Sequence, residues 1–519
     1  MFIKFGRKCY KLVLNTKTCM KVLLINPPLQ NAVKTFDSYF TMNAVNIFPP
    51  ANLLSLGTVL RKKTNHAVRI LDAYNDNLSF EEITAEVAKE KPDVVGVPAH
   101  TVTFYDCLHT IKAAKRACPE AISCVGGPLT KMFPKEILHH KEIDYVFLGD
   151  CEYTFCELVN TLEKKLEKKS KSDNTSEIDK IKGIMYRENG KIIETGSADK
   201  IKNLDELPFP DLTLIDYKKY YSAIGQSNSM AIIIGSRGCP YQCFFCSSAN
   251  SGYRMRSIQS MLNEIKMYMD HGVTEFMFYD DTFNITPKRV IDFSKGVLER
   301  GYKIKWSFRG RIDLTNEEMF KVAKEAGLIL MSYGVEDATD AGLEYMKRAN
   351  TLKQVFEGTA LAKKYKVPTS INFIIGLPQH KTKEDVYRVI KLAKKLQPTY
   401  CQFMLFQPNP GTTFYQMGIE RGIVDPNFWL DYLKNPKKEM YALLWEESLS
   451  RQELQGLINK AHRNFYFDPF YMLKMLTTVK NMNDFIAKTR AGLNILRLFA
   501  LKATEEKTPT YLRPVQDAN

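Results

Sequence analysis

The 519-residue sequence has no stretch of about eighteen or more uncharged apolar residues, so it offers no candidate for a membrane-spanning helix. Its first twenty residues (MFIKFGRKCYKLVLNTKTCM) are basic but lack the continuous apolar core of a secretory signal. Residues 1–19 therefore read as an N-terminal extension. No stripe of Lys and Arg interleaved with aromatics appears, although the formal net charge is +15, and nucleic acid is not expected as a partner. The charge reads first as a solvated lysine-rich surface and second as an attraction to an anionic membrane or substrate. Eleven cysteines in a chain without a secretory signal argue against a disulfide framework and for thiolate chemistry. Most of them need no function, since free cysteine is also a common buried small hydrophobe.

What is present is an alternating rhythm. KVLLINPP (21–28), AVRILDAY (67–74), DVVGVPAHT (93–101), AISCVGGP (121–128) and DYVFLGD (144–150) are near-continuous apolar runs. Between them lie the helical stretches 52–63, 80–91 and 106–117. Apolar strands joined by amphipathic helices predict an α/β, doubly wound parallel sheet over residues 20–160. Ligands of such sheets bind at the carboxyl ends of the strands. Those ends carry Asn26-Pro27-Pro28, Thr101 and Thr103, Gly126-Gly127 and Gly149-Asp150.

Residues 161–182 are charged and poor in aromatics, which marks a boundary. GIMYRENGKIIETG (183–196) predicts a hairpin turning at Asn189-Gly190, and residues 207–216 an extended linker, so 161–229 is read as a linker with a hairpin. A second strand-then-helix series fills 230–415, with strands at 230–236, 275–281, 303–310, 328–336, 369–376 and 400–408. Six such units suit a partial (β/α)6 barrel with its site at the strand C-terminal ends, where the cysteine loop, Asp280, Asp281, Arg311, Glu336, Gly376 and Gln407 fall. Residues 416–519 lose the strand pattern and read as helical. Within them DFIAKTRAGLNILRLFALK (484–502) has the mixture of apolar and basic residues expected of an interfacial helix.

RGCPYQCFFCSS places Cys239, Cys243 and Cys246 on one tight loop directly after a strand. Three thiolates so spaced can ligate three irons of a 4Fe–4S cluster and leave the fourth iron open. A structural zinc ion wants four closed ligands, and no further Cys or His follows at a suitable short spacing. The looser pairs Cys118 with Cys124 and Cys151 with Cys156 do not bring three thiolates to one loop.

Cys-x3-Cys-x2-Cys with Phe245 before the last cysteine resembles the signature of the radical S-adenosylmethionine superfamily. With the N-terminal sheet, the chain resembles its cobalamin-binding branch, which includes class B C-methylases, the anaerobic porphyrin cyclase and hopanoid methylases. The resemblance covers roughly residues 20–480 and implies the cofactors: a 4Fe–4S cluster on the three cysteines, S-adenosylmethionine, and cobalamin. It implies that Phe245 offers its backbone carbonyl to the adenine. FYDDTF (278–283) points to Asp280 and Asp281 for the methionine amine, and WSFRGRID (306–313) to Arg311 for the carboxylate. GVED (334–337) places Glu336 near the ribose, with Asp337 where the family has serine. IIGLP (374–378) sets Gly376 along the adenine, and Gln407 ends the last strand.

For the N-terminal sheet, the resemblance of GVPAHTVT (96–103), VGGP (125–128) and LGDCEYT (148–154) implies cobalamin contacts from Asn26, Pro27, Thr101, Thr103, Gly126, Gly127 and Glu152. The family's Asp-x-His-x-x-Gly motif for a lower axial histidine is absent, and the stretch reads NPPLQNAV instead. A purely structural or substrate-capping sheet is the other reading of this domain.

The implied activity is generation of a 5′-deoxyadenosyl radical that functionalises an unactivated carbon, foremost by cobalamin-dependent C-methylation of a small or lipid-like substrate. Radical cyclisation, C–C coupling or oxidation without methyl transfer is the alternative, and a non-catalytic iron–sulfur redox or sensor protein the remote one. The resemblance also implies an external electron donor of flavodoxin or ferredoxin type. A cytoplasmic location is expected, with peripheral membrane attachment through 484–502.

Overall fold

The computed structural model describes residues 19–34, 46–167, 177–222, 227 and 229–477. The expected extension before residue 19 and the expected interfacial helix at 484–502 lie outside the described residues, Cys19 aside. The chain forms two compact units. One comprises Met1–Pro28, Ser55–Ala99 and Cys107–Lys200, the other Leu29–Leu54, His100–Asp106 and Ile201–Asn519.

In the first unit, strands β1 (Lys21–Asn26), β2 (Ala67–Asp72), β3 (Val94–Pro98), β4 (Ile122–Gly126) and β5 (Tyr145–Phe147) are parallel in the order β2-β1-β3-β4-β5. Helices α1 (Ala51–Lys63), α2 (Phe80–Glu90), α3 (Phe104–Ala117) and α4 (Glu152–Glu167) connect or follow them. The strands form because both faces are covered: Val22 to Ile25 and Val94 to Pro98 are buried without interruption. Helix α2 starts at a capping box in which Ser79 accepts from the Glu82 N–H and the Glu82 carboxylate accepts from the Ser79 N–H.

The hairpin read as part of a linker is instead two more strands of this sheet. Strands β6 (Ile184–Glu188) and β7 (Lys191–Glu194) add to β5 antiparallel, turning at Asn189 and Gly190, both with positive φ. Antiparallel edge strands on a parallel sheet are common, because a hairpin needs no crossover. A second difference concerns 29–54 and 100–106. These were expected inside the first domain, yet they group with the second unit, where Val33 N–H donates to Val102 O and Asn31 to Asp106.

The second unit holds six parallel strands in sequence order: β8 (Met230–Ile233), β9 (Glu275–Phe278), β10 (Lys305–Gly310), β11 (Leu328–Glu336), β12 (Thr369–Ile375) and β13 (Tyr400–Leu405). Helices α5 (Ile258–Asp270), α6 (Pro287–Glu299), α7 (Glu317–Glu325), α8 (Leu352–Lys364) and α9 (Lys383–Leu396) join them. Four further helices follow: α10 (Thr413–Glu420), α11 (Phe428–Lys434), α12 (Arg451–Tyr466) and α13 (Pro469–Thr477). The core between strands and helices is aromatic. Phe278 stacks on Phe283 with centroids 4.2 Å apart, and Phe293 and Trp306 meet edge to face at 5.0 Å. Among the described residues no helix is long and apolar enough to cross a membrane.

Candidate active site

The cysteine loop follows β8 and closes on itself. Ser251 N–H donates to Cys239 O, and Cys239 N–H donates back to Ser251 Oγ at 3.1 Å. Cys239 and Cys243 are buried and Cys246 is half-buried. Burial raises the Cys243 thiol above its usual range and pushes Cys246 up to about 11, and neighbouring Cys239 adds to both shifts. The sulfurs therefore sense one another, and positive charge is required to hold them as thiolates. Three cysteines on one loop, with no fourth cysteine or histidine at a short spacing after them, suit a cluster with one open iron better than a four-coordinate zinc ion.

Beside the loop lies a ring of charge. Arg311, at the end of β10, stacks on Tyr241 with its guanidinium carbon 3.9 Å from the ring centre. Its Nη2 donates to Asp313 and to the carbonyls of Arg348 and Ala349. Arg348 Nη2 donates to Gly334 O at 2.9 Å. Between these cations sits Glu336, fully buried; burial pushes its carboxyl up to about 7 against the pull of Arg348 and Arg311. Several buried polar atoms at this place have no partner: Arg311 Nη1, Arg348 Nε, Asp313 Oδ1 and both side-chain atoms of Asn350. Buried donors and acceptors are rarely left so, and their gathering at one point describes a socket for a polar, charged ligand.

The socket is held in strained backbone. Glu336 has φ +75°, and Lys347 and Ala349, which flank Arg348, have φ +54° and +56°. Non-glycine residues in this region cost energy and collect at functional sites. Gly334 leaves room for the Glu336 carboxylate in this position, because a Cβ there would lie 1.5 Å from Glu336 Oε1.

The expected contacts divide. Arg311 and Glu336 converge on the socket. Asp281 is exposed and accepts from Ser248 Oγ of the cysteine loop at 3.1 Å. Asp280 does not join them: it is 2% exposed, and its two oxygens accept from Gly235 N–H at 2.7 Å and Ser236 Oγ at 2.6 Å. It ties β9 to the root of the cysteine loop, with Arg289 donating to Gly235 O nearby. Phe245 is half-buried against the apolar cluster that includes Leu377, Phe406 and Trp445. Gly376 donates its N–H to His380 Nδ1 at 3.2 Å. His380 Nε2 lies 3.3 Å from Asp337, whose carboxyl is lowered as hydrogen bonds from His380 and Gln379 outweigh burial. Gln407 is half-buried just past β13.

Arg348, Asn350, Tyr241 and His380 were not found from sequence. Arg348 follows Glu336 by twelve positions and is delivered by two left-handed residues, a placement with no local pattern.

In the first unit, Gly127 has φ +117°, and a Cβ there would lie 2.7 Å from Ala99 O, so only glycine fits. Gly126 has ordinary clearance. Asn26 Nδ2 donates to Asp72 at 2.7 Å and joins β1 to β2. Pro27 follows the buried end of β1. Glu152 is buried at the start of α4 and accepts from Ser55 Oγ. Thr101 and Thr103 form a short turn that belongs to the second unit. No histidine stands in residues 26–34, and His66 is engaged with Met20 N–H and Asn160.

The family models agree with this layout. The Radical SAM superfamily matches residues 233–393, and the B12 binding domain matches residues 40–159. An uncharacterized methyltransferase of Pyrococcus horikoshii is 31% identical over 92% of this chain and 99% of its own length. The anaerobic magnesium-protoporphyrin IX monomethyl ester cyclase of Cereibacter sphaeroides is 28% identical over 81% of this chain and 67% of that protein. Among solved structures, the radical S-adenosylmethionine methyltransferase TsrM from Kitasatospora setae, with cobalamin and a 4Fe–4S cluster bound, has a TM-score of 0.66. It is 16% identical and covers 87% of this chain and 90% of its own, a likeness of fold. Sheet, barrel, cysteine loop and socket lead to one assignment: the chain belongs to the radical S-adenosylmethionine superfamily, in the branch of cobalamin-dependent methyltransferases that carry a B12-binding domain before the barrel.

Proposed function

We propose that this chain transfers a methyl group to an unactivated carbon of a small molecule. The observation that carries the reading is the coincidence of three thiols with a socket of unpaired guanidinium, amide and carboxylate atoms at one end of the barrel. A zwitterionic amino acid joined to a nucleoside matches that donor set.

Bound together, the cluster, S-adenosylmethionine and cobalamin supply one-electron cleavage of a carbon–sulfur bond and a transferable methyl group. The protein's own part is binding and orientation. Cys239, Cys243 and Cys246 hold the cluster. Arg311 Nη1 and Arg348 Nε donate to the methionine carboxylate, and Asp281 accepts from its amine. Glu336, when ionised, accepts from the ribose hydroxyls. The Phe245 carbonyl and the Gly376 turn receive the adenine, and the apolar packing under Phe245 keeps water out. Gly127 would let backbone approach the cobalamin tail, and residues 26–34 offer no histidine to ligate the metal.

The test is anaerobic reconstitution with S-adenosylmethionine carrying a labelled methyl group, with and without cobalamin. Methyl transfer requires S-adenosylhomocysteine to form only with cobalamin. Formation of 5′-deoxyadenosine alone would favour cyclisation or oxidation instead, and absence of both products ends the radical reading. Replacing Cys246 by Ala must abolish both. The cobalamin-loaded protein should show no imidazole nitrogen splitting in its paramagnetic resonance spectrum; such splitting would place a histidine on the metal.

An external flavodoxin- or ferredoxin-type donor and a peripheral membrane position complete the proposal. Exposed Phe470, Met472 and Leu473 on α13 offer an apolar face for the latter. Pelleting with anionic but not neutral vesicles supports it, and equal, negligible pelleting with both removes it.

A further inference from the structure

Barrel interiors are normally filled by layers of bulky branched side chains. This one is not. Alternation fixes which residues face inward. On β10, Trp306 donates to Ala326 O and Phe308 packs on Phe283, both on the helix side, so Ser307 and Arg309 face the lumen. On β11, Tyr333 reaches Thr359 of α8, which turns Ser332 inward. By the same rule Tyr279, Asn372 and Gln402 face inward. All six are half-buried, and five are polar without formal charge.

Arg309 is the exception. Its guanidinium carbon lies 3.8 Å from the centre of the Tyr279 ring, which is itself braced edge-on by Phe48 at 6.0 Å. Stacking uses the flat face and leaves the N–H edge free as a planar fork, the geometry that takes a carboxylate or phosphoryl group with two hydrogen bonds. Among the described residues that edge has no acceptor and no ion pair. Glu336 is drawn to Arg348 and Arg311. Glu275, on the inward face of β9, lies four residues before Tyr279, about 13 Å along the strand. The methionine carboxylate does not account for Arg309 either. Arg311 and Arg348 already aim unpaired donors into the socket, whereas Arg309 stands two residues lower on β10, about 7 Å from Arg311.

We infer that Arg309, braced on Tyr279, anchors an oxyanion of the substrate inside the barrel, so that the substrate is an anionic small molecule bearing a carboxylate or phosphoryl group. The inference rests on the radical-enzyme reading for the word substrate, but the anion site is tested separately. Full-length reconstituted protein is treated with phenylglyoxal, and modification of Arg309 is followed by mass spectrometry of its peptide. The probes are inorganic phosphate and propionate, compared with chloride at equal ionic strength. One of them is expected to slow Arg309 modification about threefold at a concentration near twice its Kd, and which one succeeds tells phosphoryl from carboxylate. Tyr279→Leu should remove the protection and Tyr279→Phe retain it.

The inference is overturned if neither probe protects, or if S-adenosylmethionine or hydroxocobalamin alone protects as well. Reductive formation of 5′-deoxyadenosine is measured on the same preparation. Nucleoside formed without protection sinks the anion site and leaves the radical reading intact; protection without nucleoside does the reverse.

Discussion

At the scale of single residues, the site is a contest between burial and charge. Glu336 is fully buried, and its carboxyl stands at about 7 instead of 4.5 because desolvation outweighs two arginines. The raised value means the folded protein holds the proton more tightly than the unfolded chain. Its contribution to stability is therefore complete below about pH 4.5 and lost as pH rises through about 7. In ligand-free protein Glu336→Gln should escape this loss, gaining on the parent by up to about 3 kcal/mol between those pH values and no more above them. Thermal melts of both proteins from pH 5 to 9 check it; a pH-independent difference would show the carboxyl to be unperturbed. Gly334→Ala makes a second case. A methyl group 1.5 Å from Glu336 Oε1 must displace that side chain, so S-adenosylmethionine affinity should fall at least about tenfold while cluster content holds. Equilibrium dialysis against iron content separates the two effects.

Elements explain which parts of the site could be read in advance. Strands β8 to β13 were legible because each short run sets buried apolar side chains toward the helices, at alternate positions in β10 and β13, and the cysteine loop because three thiolates on one turn have few other uses. Glu336 and Arg311 sit at strand ends and inherit that legibility. Asp280 shows where it stops: sequence places Asp280 and Asp281 side by side just past β9, but in the loop they meet different partners. Asp280 clamps Gly235 and Ser236, and Asp281 meets Ser248. Which of two adjacent carboxylates faces a ligand depends on the neighbouring strand, which local sequence does not reveal. Asp280→Asn should therefore lower iron content, because the root of the cysteine loop loosens. Affinity for S-adenosylmethionine, measured on the fraction that retains its cluster, should change little. A fall in that affinity at full iron content would return Asp280 to the ligand.

The chain as a whole is less modular than its linear pattern suggests. Runs of strands and helices read naturally as consecutive domains, but the second unit recruits 29–54 and 100–106 from within the first stretch. The attachments are specific. Lys34 N–H donates to Met440 O and Ala442 N–H to Lys34 O, a bridge beside Tyr441. Tyr432 hydroxyl accepts from Tyr105 N–H at 3.2 Å. Asp106, wholly buried, accepts twice from Asn31, and burial pushes its carboxyl up to about 6. Pairings this distant in sequence leave no periodicity to read. Removing the early segments would strip backbone partners from 440–442 and take the Tyr105 N–H from Tyr432, and buried backbone groups left unpaired are costly. A fragment starting at Ile201 contains every barrel strand and the cysteine loop, yet it should melt well below the intact protein or aggregate on expression. Appending 29–54 through a flexible linker should recover part of the loss. Calorimetry of the three proteins decides: if the 201–519 fragment melts cooperatively within a few degrees of the full chain, the barrel is self-sufficient and the early segments do not stabilise it.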